Sequence, residues 1–108
     1  KRQGLARCSK AYGLSPQGLA ESLKDHNPID RLAPLAKAQV PIFHIHGDKD
    51  RVVPLEANSG IVSERYAKLG GNMTLKIIKN QGHNMWSGWF EDKDLLAFIL
   101  QHAIRLKE

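Results

Sequence analysis

The sequence predicts an α/β fold in which parallel strands alternate with helices and the sheet is incomplete. Residues 42–46 form a short, almost continuously apolar run that Gly47 ends, which is typical of a strand buried in a parallel sheet. Residues 73–78 alternate as a second strand, and residues 55–69 carry apolar positions at helical spacing. Strands that alternate with helices are joined by crossovers and lie parallel. Two strands alone leave both edges of a sheet unpaired. This fold class therefore requires more strands than the sequence encodes.

Residues 1–39 are predicted to form a helical segment that leads into the core. Ser15 is a favoured N-cap residue and Pro16 is favoured at the first helical position, so a helix is expected to begin there. Asn27 precedes Pro28, and the residue before a proline disfavours the α-helical conformation. The helix is therefore expected to end at this point.

Residues 40–108 are predicted to form the second segment, which holds both strands and the loops that follow them. In the helix between the strands, one face carries apolar residues at i, i+4 and i+7: Val62, Tyr66 and Leu69. A last helix is expected to begin at Asp92 or Asp94. Its apolar residues recur at helical spacing and are expected on its buried side: Leu95, Leu96, Ile99, Leu100, Ala103 and Ile104.

Composition excludes several classes of protein. Hydrophobic residues make up 42% and charged residues 25%, as in ordinary globular domains. The net charge of +5 comes from scattered basic residues without interleaved aromatics, so a nucleic-acid partner is not expected. No run approaches the roughly 18 apolar residues of a membrane span. Cys8 is the only cysteine, which excludes an internal disulfide and a CxxC motif, and no metal or cofactor motif is present. Because the chain starts at Lys1, we expect a partial or processed chain of undetermined localisation.

The candidate chemistry lies in two loops that follow the two strands. The acid loop, residues 47–54, contains Asp50, and the histidine loop, residues 81–88, contains His83. The carboxyl ends of parallel strands share one edge of a sheet, where ligands bind in open α/β folds. A carboxylate there can orient an imidazole and stabilise its protonated form. Asp48 is a weaker candidate for the acid, and Asp50 could instead cap its own loop.

The acid loop resembles a motif of the α/β-hydrolases. Residues 46–54 fit the pattern H-G-x-x-D-x-x-V-P, Gly82-His83 is similar to the catalytic histidine loop of that family, and residues 28–32 are similar to a segment before its acid strand. The family order is Ser, then Asp or Glu, then His. The resemblance implies the C-terminal portion of an α/β-hydrolase fold, with Asp50 as acid and His83 as base. The implied enzyme is an esterase or a prolyl-oligopeptidase-like peptidase, acting on a small-molecule ester or a peptide.

The nucleophile of such an enzyme is missing from the sequence. No Gly-x-Ser-x-Gly motif surrounds any serine, no Gly-x-Cys-x-Gly surrounds Cys8, and no His-Gly-Gly oxyanion segment occurs. The chain alone is therefore expected to be inactive, with the nucleophile outside it. The alternative is a non-catalytic remnant, or a binding or assembly module of the same fold. The sequence does not indicate the oligomeric state.

Other residues near the two loops have competing interpretations. His44 and His46 share one face of the first strand and, with Asp48, resemble a metal site, but we expect no metal because this strand leads into the acid loop. Asn84 is a candidate for bracing the histidine loop. The aromatic residues that follow His83 either pack on the last helix or form an apolar rim for the substrate: Trp86, Trp89 and Phe90.

Overall fold

A computed structural model describes the backbone of residues 2–105 and the side chains of residues 4–103. Within this part, α-helices and strands alternate after a helical start. The elements in chain order are helices α1 (Arg2–Ala11), α2 (Pro16–Glu21), α3 (Leu23–His26) and α4 (Ala33–Lys37), strand β1 (Ile42–Gly47), helix α5 (Ile61–Lys68), strand β2 (Met73–Ile78) and helix α6 (Lys93–Arg105). No helix in residues 2–105 has the length and apolar character needed to cross a membrane.

The sheet of the described residues consists of β1 and β2, which pair in parallel. The register sets Ile42 opposite Met73 at one end and Gly47 opposite Ile78 at the other. Both strands lie where the sequence predicts them, and their parallel pairing confirms the predicted fold class. Because the strands run in the same direction, the acid loop and the histidine loop leave the sheet at the same edge.

The core lies between α4, α5 and the start of the sheet. Tyr66 of α5 is 0% exposed and packs with Leu32 and Ala36. The Tyr66 hydroxyl donates a hydrogen bond to the backbone carbonyl of Val40, just before β1. Three partly buried residues complete the cluster: Ile42, Val62 and Met73. This core anchors the amino end of β1, opposite the edge that carries the two loops.

The predicted cap of the N-terminal segment is confirmed. The Ser15 side chain accepts a hydrogen bond of 3.0 Å from the backbone N–H of Gly18. The single helix expected between Pro16 and Asn27 is interrupted at Ser22, so that α2 ends at Glu21 and α3 ends at His26, before Asn27 and Pro28. Two further helices, α1 and α4, lie within the predicted helical segment, but the sequence patterns did not predict them as separate helices. The α4 helix begins at Ala33 with Pro34 in its first turn, where proline costs no hydrogen bond.

The helix predicted at residues 55–69 begins differently from the expectation. Its first turn, Glu56–Gly60, is π-helical, with the N–H of Gly60 donating to the carbonyl of Leu55 at 2.8 Å. The regular helix α5 follows. Leu69 lies just past the last residue of α5 and is 47% exposed. It was predicted to share the apolar face of this helix with Tyr66, but it is not buried.

The prediction of a buried face on α6 is wrong for most of its members. Asp92 caps the helix, since its Oδ1 accepts from the backbone N–H groups of Asp94 and Leu95 at 3.0 and 2.9 Å. Leu95 is half-buried, whereas the other predicted members with described side chains are exposed: Leu96, Ile99, Leu100 and Ala103. Ile104 lies outside the described side chains.

The narrow sheet explains this exposure. Two parallel strands offer α6 little surface to pack on. An aromatic contact joins α6 to the sheet at Phe98 and Phe43, whose ring centroids lie 5.4 Å apart. The first strand is affected in the same way. Only His46 and Gly47 of β1 are buried and its other residues are half-buried, so the predicted full burial of this strand is also wrong.

Candidate active site

The acid loop and the histidine loop touch directly at the carboxyl ends of the strands. The N–H of Lys49 donates to the carbonyl of Gln81 at 2.9 Å, and Asp48 Oδ1 accepts from the N–H of Asn80 at 2.7 Å. Gly47 permits this approach, because a Cβ atom at that position would lie 2.2 Å from the Gln81 carbonyl oxygen. The Asp48 side chain therefore ties the acid loop to the residue just before the histidine loop, and Asp50 is the carboxylate that bonds to His83.

The carboxylate of Asp50 is held by its own loop and points at His83. Its Oδ1 accepts hydrogen bonds from the backbone N–H groups of Val52 and Val53 at 2.9 and 2.8 Å. Its Oδ2 lies 3.1 Å from His83 Nδ1, and the side chain is only 10% exposed. The Val53 N–H, followed by the His83 ring and the Val52 N–H, lowers the pKa of Asp50, while burial opposes this shift. The loop-capping interpretation of Asp50 thus holds for one oxygen and the pairing with His83 for the other.

His83 presents its second ring nitrogen away from Asp50. An ionised carboxylate only accepts hydrogen bonds, so the neutral imidazole carries its proton on Nδ1, an assignment made from the bonding partner. Nε2 then keeps a lone pair. The His83 side chain is 56% exposed. In the described part of the chain, no serine hydroxyl forms a hydrogen bond with this ring. The pair is therefore arranged as a base and the group that orients it.

Asn84 braces the histidine loop through both ends of its side-chain amide. Its Nδ2 donates to Gln81 Oε1 at 2.9 Å, and its Oδ1 accepts from the N–H of Trp86 and from Trp89 Nε1, both at 3.1 Å. The Trp89 indole also reaches the Asn84 carbonyl at 3.1 Å. These bonds fix the turn that carries His83, in agreement with the interpretation of Asn84 from the sequence.

A cleft of about 240 Å³ opens beside the pair. Of the three aromatic residues after His83, Trp89 lines the cleft, Trp86 packs edge-on against Trp89 with ring centroids 5.4 Å apart, and Phe90 is 84% exposed. The rim interpretation thus fits Trp89, and packing on the last helix does not describe Phe90. The cleft is lined by Ile45, His46, Gly47, Asp50, Val53, Gly82, His83, Asn84 and Trp89.

His44 and His46 do lie on one side of β1, and both contact a residue that the sequence motifs did not indicate. Ser59 Oγ lies 3.1 Å from His44 Nδ1 and 2.8 Å from His46 Nδ1. His46 Nε2 lies 2.8 Å from the carbonyl oxygen of Val53 and 3.8 Å from Asp50 Oδ2. Among the described residues, no group of three or more His, Cys, Asp or Glu side chains is placed to hold a metal.

Comparison with protein families gives the two loops a context. The family model described as phospholipase/carboxylesterase matches residues 26–103. The chain belongs to this family. It is a family of the α/β-hydrolase superfamily, which confirms the resemblance and the fold class expected from the sequence. The phospholipase/carboxylesterase match spans both the acid loop and His83. No curated protein and no solved structure gives a significant match.

Proposed function

We propose that this chain supplies the acid Asp50 and the base His83 of a serine hydrolase that cleaves carboxylic esters, with a nucleophile contributed by polypeptide outside these 108 residues. The observation that carries the proposal is the 3.1 Å contact between Asp50 Oδ2 and His83 Nδ1, made by loops from two neighbouring strands. Membership of the phospholipase/carboxylesterase family supports ester hydrolysis as the reaction class.

The geometry suits each group to one role. His83 Nε2 takes the proton of a serine hydroxyl as the oxygen attacks the ester carbonyl, and later gives that proton to the leaving alcohol. A water molecule then repeats the sequence on the acyl-enzyme. Asp50 stays ionised, holds the proton of His83 on Nδ1 and stabilises the imidazolium. The exposure of His83 leaves Nε2 accessible to a hydroxyl group supplied from another segment.

The family favours an ester over a peptide bond as the substrate. Both phospholipids and carboxylic esters present an ester carbonyl, and the description of the family names enzymes acting on these. Peptide cleavage, which the sequence resemblance left open, has no such support. The apolar flank of the cleft at Ile45, Val53 and Trp89 fits the uncharged portion of an ester.

Ser59 is the serine whose contacts come closest to forming an alternative triad, with His46 and Asp50. It contacts His46, whose ring lies 3.8 Å from Asp50. However, Ser59 is only 8% exposed and does not line the cleft, so a substrate carbonyl has no path to its hydroxyl. A nucleophile must be exposed to its substrate, and this arrangement is therefore structural.

The proposal predicts that the purified 108-residue chain has no activity on a p-nitrophenyl ester above background. Nucleophile and base act as a unit, so the base and acid alone lose most of the rate acceleration. The same assay on the chain extended by its native upstream codons should show turnover. In that extended protein, His83→Ala should lower kcat roughly 10⁶-fold and Asp50→Asn about 10⁴-fold.

His26→Gln is the matched control, because His26 lies at the end of α3 and packs on Tyr12 with ring centroids 4.7 Å apart. It should leave kcat unchanged. Turnover by the 108-residue chain that disappears in His83→Ala would reveal a nucleophile within it. An extended protein without a Gly-x-Ser-x-Gly segment and without turnover would favour the non-catalytic alternative, a binding or assembly module.

A further inference from the structure

A chain of hydrogen bonds runs behind the acid loop and ends on the backbone that holds Asp50. It begins at His44, passes through the Ser59 hydroxyl to His46, and continues from His46 Nε2 to the carbonyl oxygen of Val53 at 2.8 Å. The N–H of the same residue, Val53, donates to Asp50 Oδ1 at 2.8 Å. Val53 is thus held at its carbonyl by a buried histidine while its amide holds the acid.

The proton positions along this chain follow from what each partner can accept. A backbone carbonyl only accepts, so His46 Nε2 carries a hydrogen and, in the neutral ring, Nδ1 is the acceptor. Ser59 must then donate its one hydroxyl proton to His46, and it accepts from His44 Nδ1. Burial, followed by the neighbouring His46 ring, lowers the pKa of His44, which favours the neutral form of the His44 ring. The one ring hydrogen of His44 then lies on Nδ1, where it donates to Ser59 Oγ.

The placement of Ser59 depends on an unusual turn. Ser59 lies in the π-helical segment Glu56–Gly60, and such turns recur at functional sites in helices. Ser59 and His46 are 8% and 9% exposed, so their bonds form in a region where an unpaired polar group is costly. Once set, these bonds therefore resist rearrangement.

We propose that His46 and Ser59 are positioning residues for the Asp50–His83 pair. Ser59 fixes the ring of His46, His46 fixes the peptide groups of Val53, and Val53 with Val52 holds Asp50 so that its second oxygen faces His83. The inference rests on the proposed function and extends it, since it assigns a positioning role to His46, the first residue of the motif at residues 46–54, and to Ser59, which lies outside that motif. Neither residue hydrogen-bonds to His83. His46 Nε2 lies 3.8 Å from Asp50 Oδ2, beyond hydrogen-bond distance, so both residues are placed to act through the backbone of Val53.

Nuclear magnetic resonance of the 108-residue chain tests the inference without turnover. The readouts are the pKa of the Asp50 carboxyl, from its ¹³C shift, and the Nδ1–H tautomer of His83, from ¹⁵N shifts. Ser59→Ala is expected to raise the pKa of Asp50 towards its ordinary value and to reduce the share of the Nδ1–H tautomer. Ser59→Thr keeps the hydroxyl and should restore both. Ser63→Ala, on the following helix turn, is the matched control and should change neither. If the chain associates, sedimented protein measured by magic-angle spinning gives the same readouts.

A second pair of variants applies if Ser59→Ala fails to fold. His46→Gln retains a side-chain N–H for the Val53 carbonyl and is expected to preserve the pKa of Asp50, whereas His46→Leu removes the donor and should raise it. Unchanged readouts in a folded Ser59→Ala, or equal readouts for the Gln and Leu variants, would overturn the inference. That result is distinct from failure of the proposed function, which would appear as an inactive extended protein with these spectroscopic differences intact.

Discussion

Asp50 and His83, the two halves of the candidate pair, are held in opposite ways. Asp50 is 10% exposed and its carboxylate has three hydrogen-bonding partners, two of them backbone N–H groups of its own loop. His83 is 56% exposed, and Asp50 is the only hydrogen-bonding partner of its ring among the described residues. The acid is therefore fixed by local backbone, whereas the orientation of the base depends on the acid.

This difference suits the chemistry proposed for each group. An orienting carboxylate is useful only if it stays ionised and stationary, and backbone N–H groups supply both conditions at once. A general base needs one free ring nitrogen with access to its reaction partner. It follows that damage to the acid loop should affect both residues, whereas damage to the histidine loop should affect His83 alone.

Gly47→Ala should have the largest effect, because it separates the two loops. The added Cβ would lie 2.2 Å from the Gln81 carbonyl oxygen, a backbone atom that cannot move without displacing the histidine loop. Overpacking of this kind costs about 1–3 kcal/mol of unfolding free energy. Urea denaturation followed by circular dichroism measures this cost.

Gly82→Ala is a matched control on the partner loop. A Cβ at Gly82 would meet its nearest neighbour, the carbonyl oxygen of Lys49, at 3.4 Å, which is ordinary van der Waals contact. The same substitution next to His83 should therefore leave the unfolding free energy nearly unchanged. Equal losses for Gly47→Ala and Gly82→Ala would show that the loops are not held together by the close approach at Gly47.

The sequence was sufficient to predict the elements whose cause is local. The strands at residues 42–46 and 73–78 and the Ser15 cap each depend on a residue pattern within a few positions, and the parallel pairing follows from the helix that separates the two strands. The burial of α6 could not be predicted in the same way. Helical spacing identifies an apolar face, but burial also requires a surface to cover it, and two strands supply too little.

The same division applies to the candidate site. Asp50 and His83 could be selected because each stands in a recognisable motif after a strand, although their catalytic role remains a proposal. Ser59 stands in no motif. Its importance arises from contacts with His44 and His46, which are 15 and 13 residues away and meet it only after the chain has crossed from strand to helix. A π-helical turn has no residue signature of its own here, so periodicity predicted an ordinary helix.

A smaller effect is expected when the pH is lowered, because the Asp50 carboxylate becomes protonated. The N–H of Val53, with His83 and Val52, holds the pKa of Asp50 below its ordinary value of 3.8. A depressed carboxyl pKa stabilises the folded state fully at pH values above 3.8, and this contribution disappears as the pH falls through the folded pKa. Asp50→Asn should therefore lower stability at neutral pH, and its deficit should shrink below pH 3.8. Denaturation of both proteins across this range measures the difference; a deficit that does not vary with pH would mean that the charge of Asp50 contributes nothing.

The smallest effect should come from Asn84→Ala, which loosens the histidine loop while leaving the acid loop intact. The substitution removes the acceptor for the Trp86 backbone N–H and one of the two acceptors of the Trp89 indole N–H. Both lost hydrogen bonds are solvent-exposed, so the cost in unfolding free energy should be below about 1 kcal/mol. Hydrogen exchange of the Trp89 indole N–H should nevertheless quicken, and the ¹³C-derived pKa of Asp50 should stay the same, because Val52 and Val53 still hold the carboxylate. Asn72→Ala, just before β2 and away from both loops, is the control and should alter neither quantity. A shift of the Asp50 pKa in Asn84→Ala would show that the histidine loop supports the acid as well, and the asymmetry between the two loops would then be wrong.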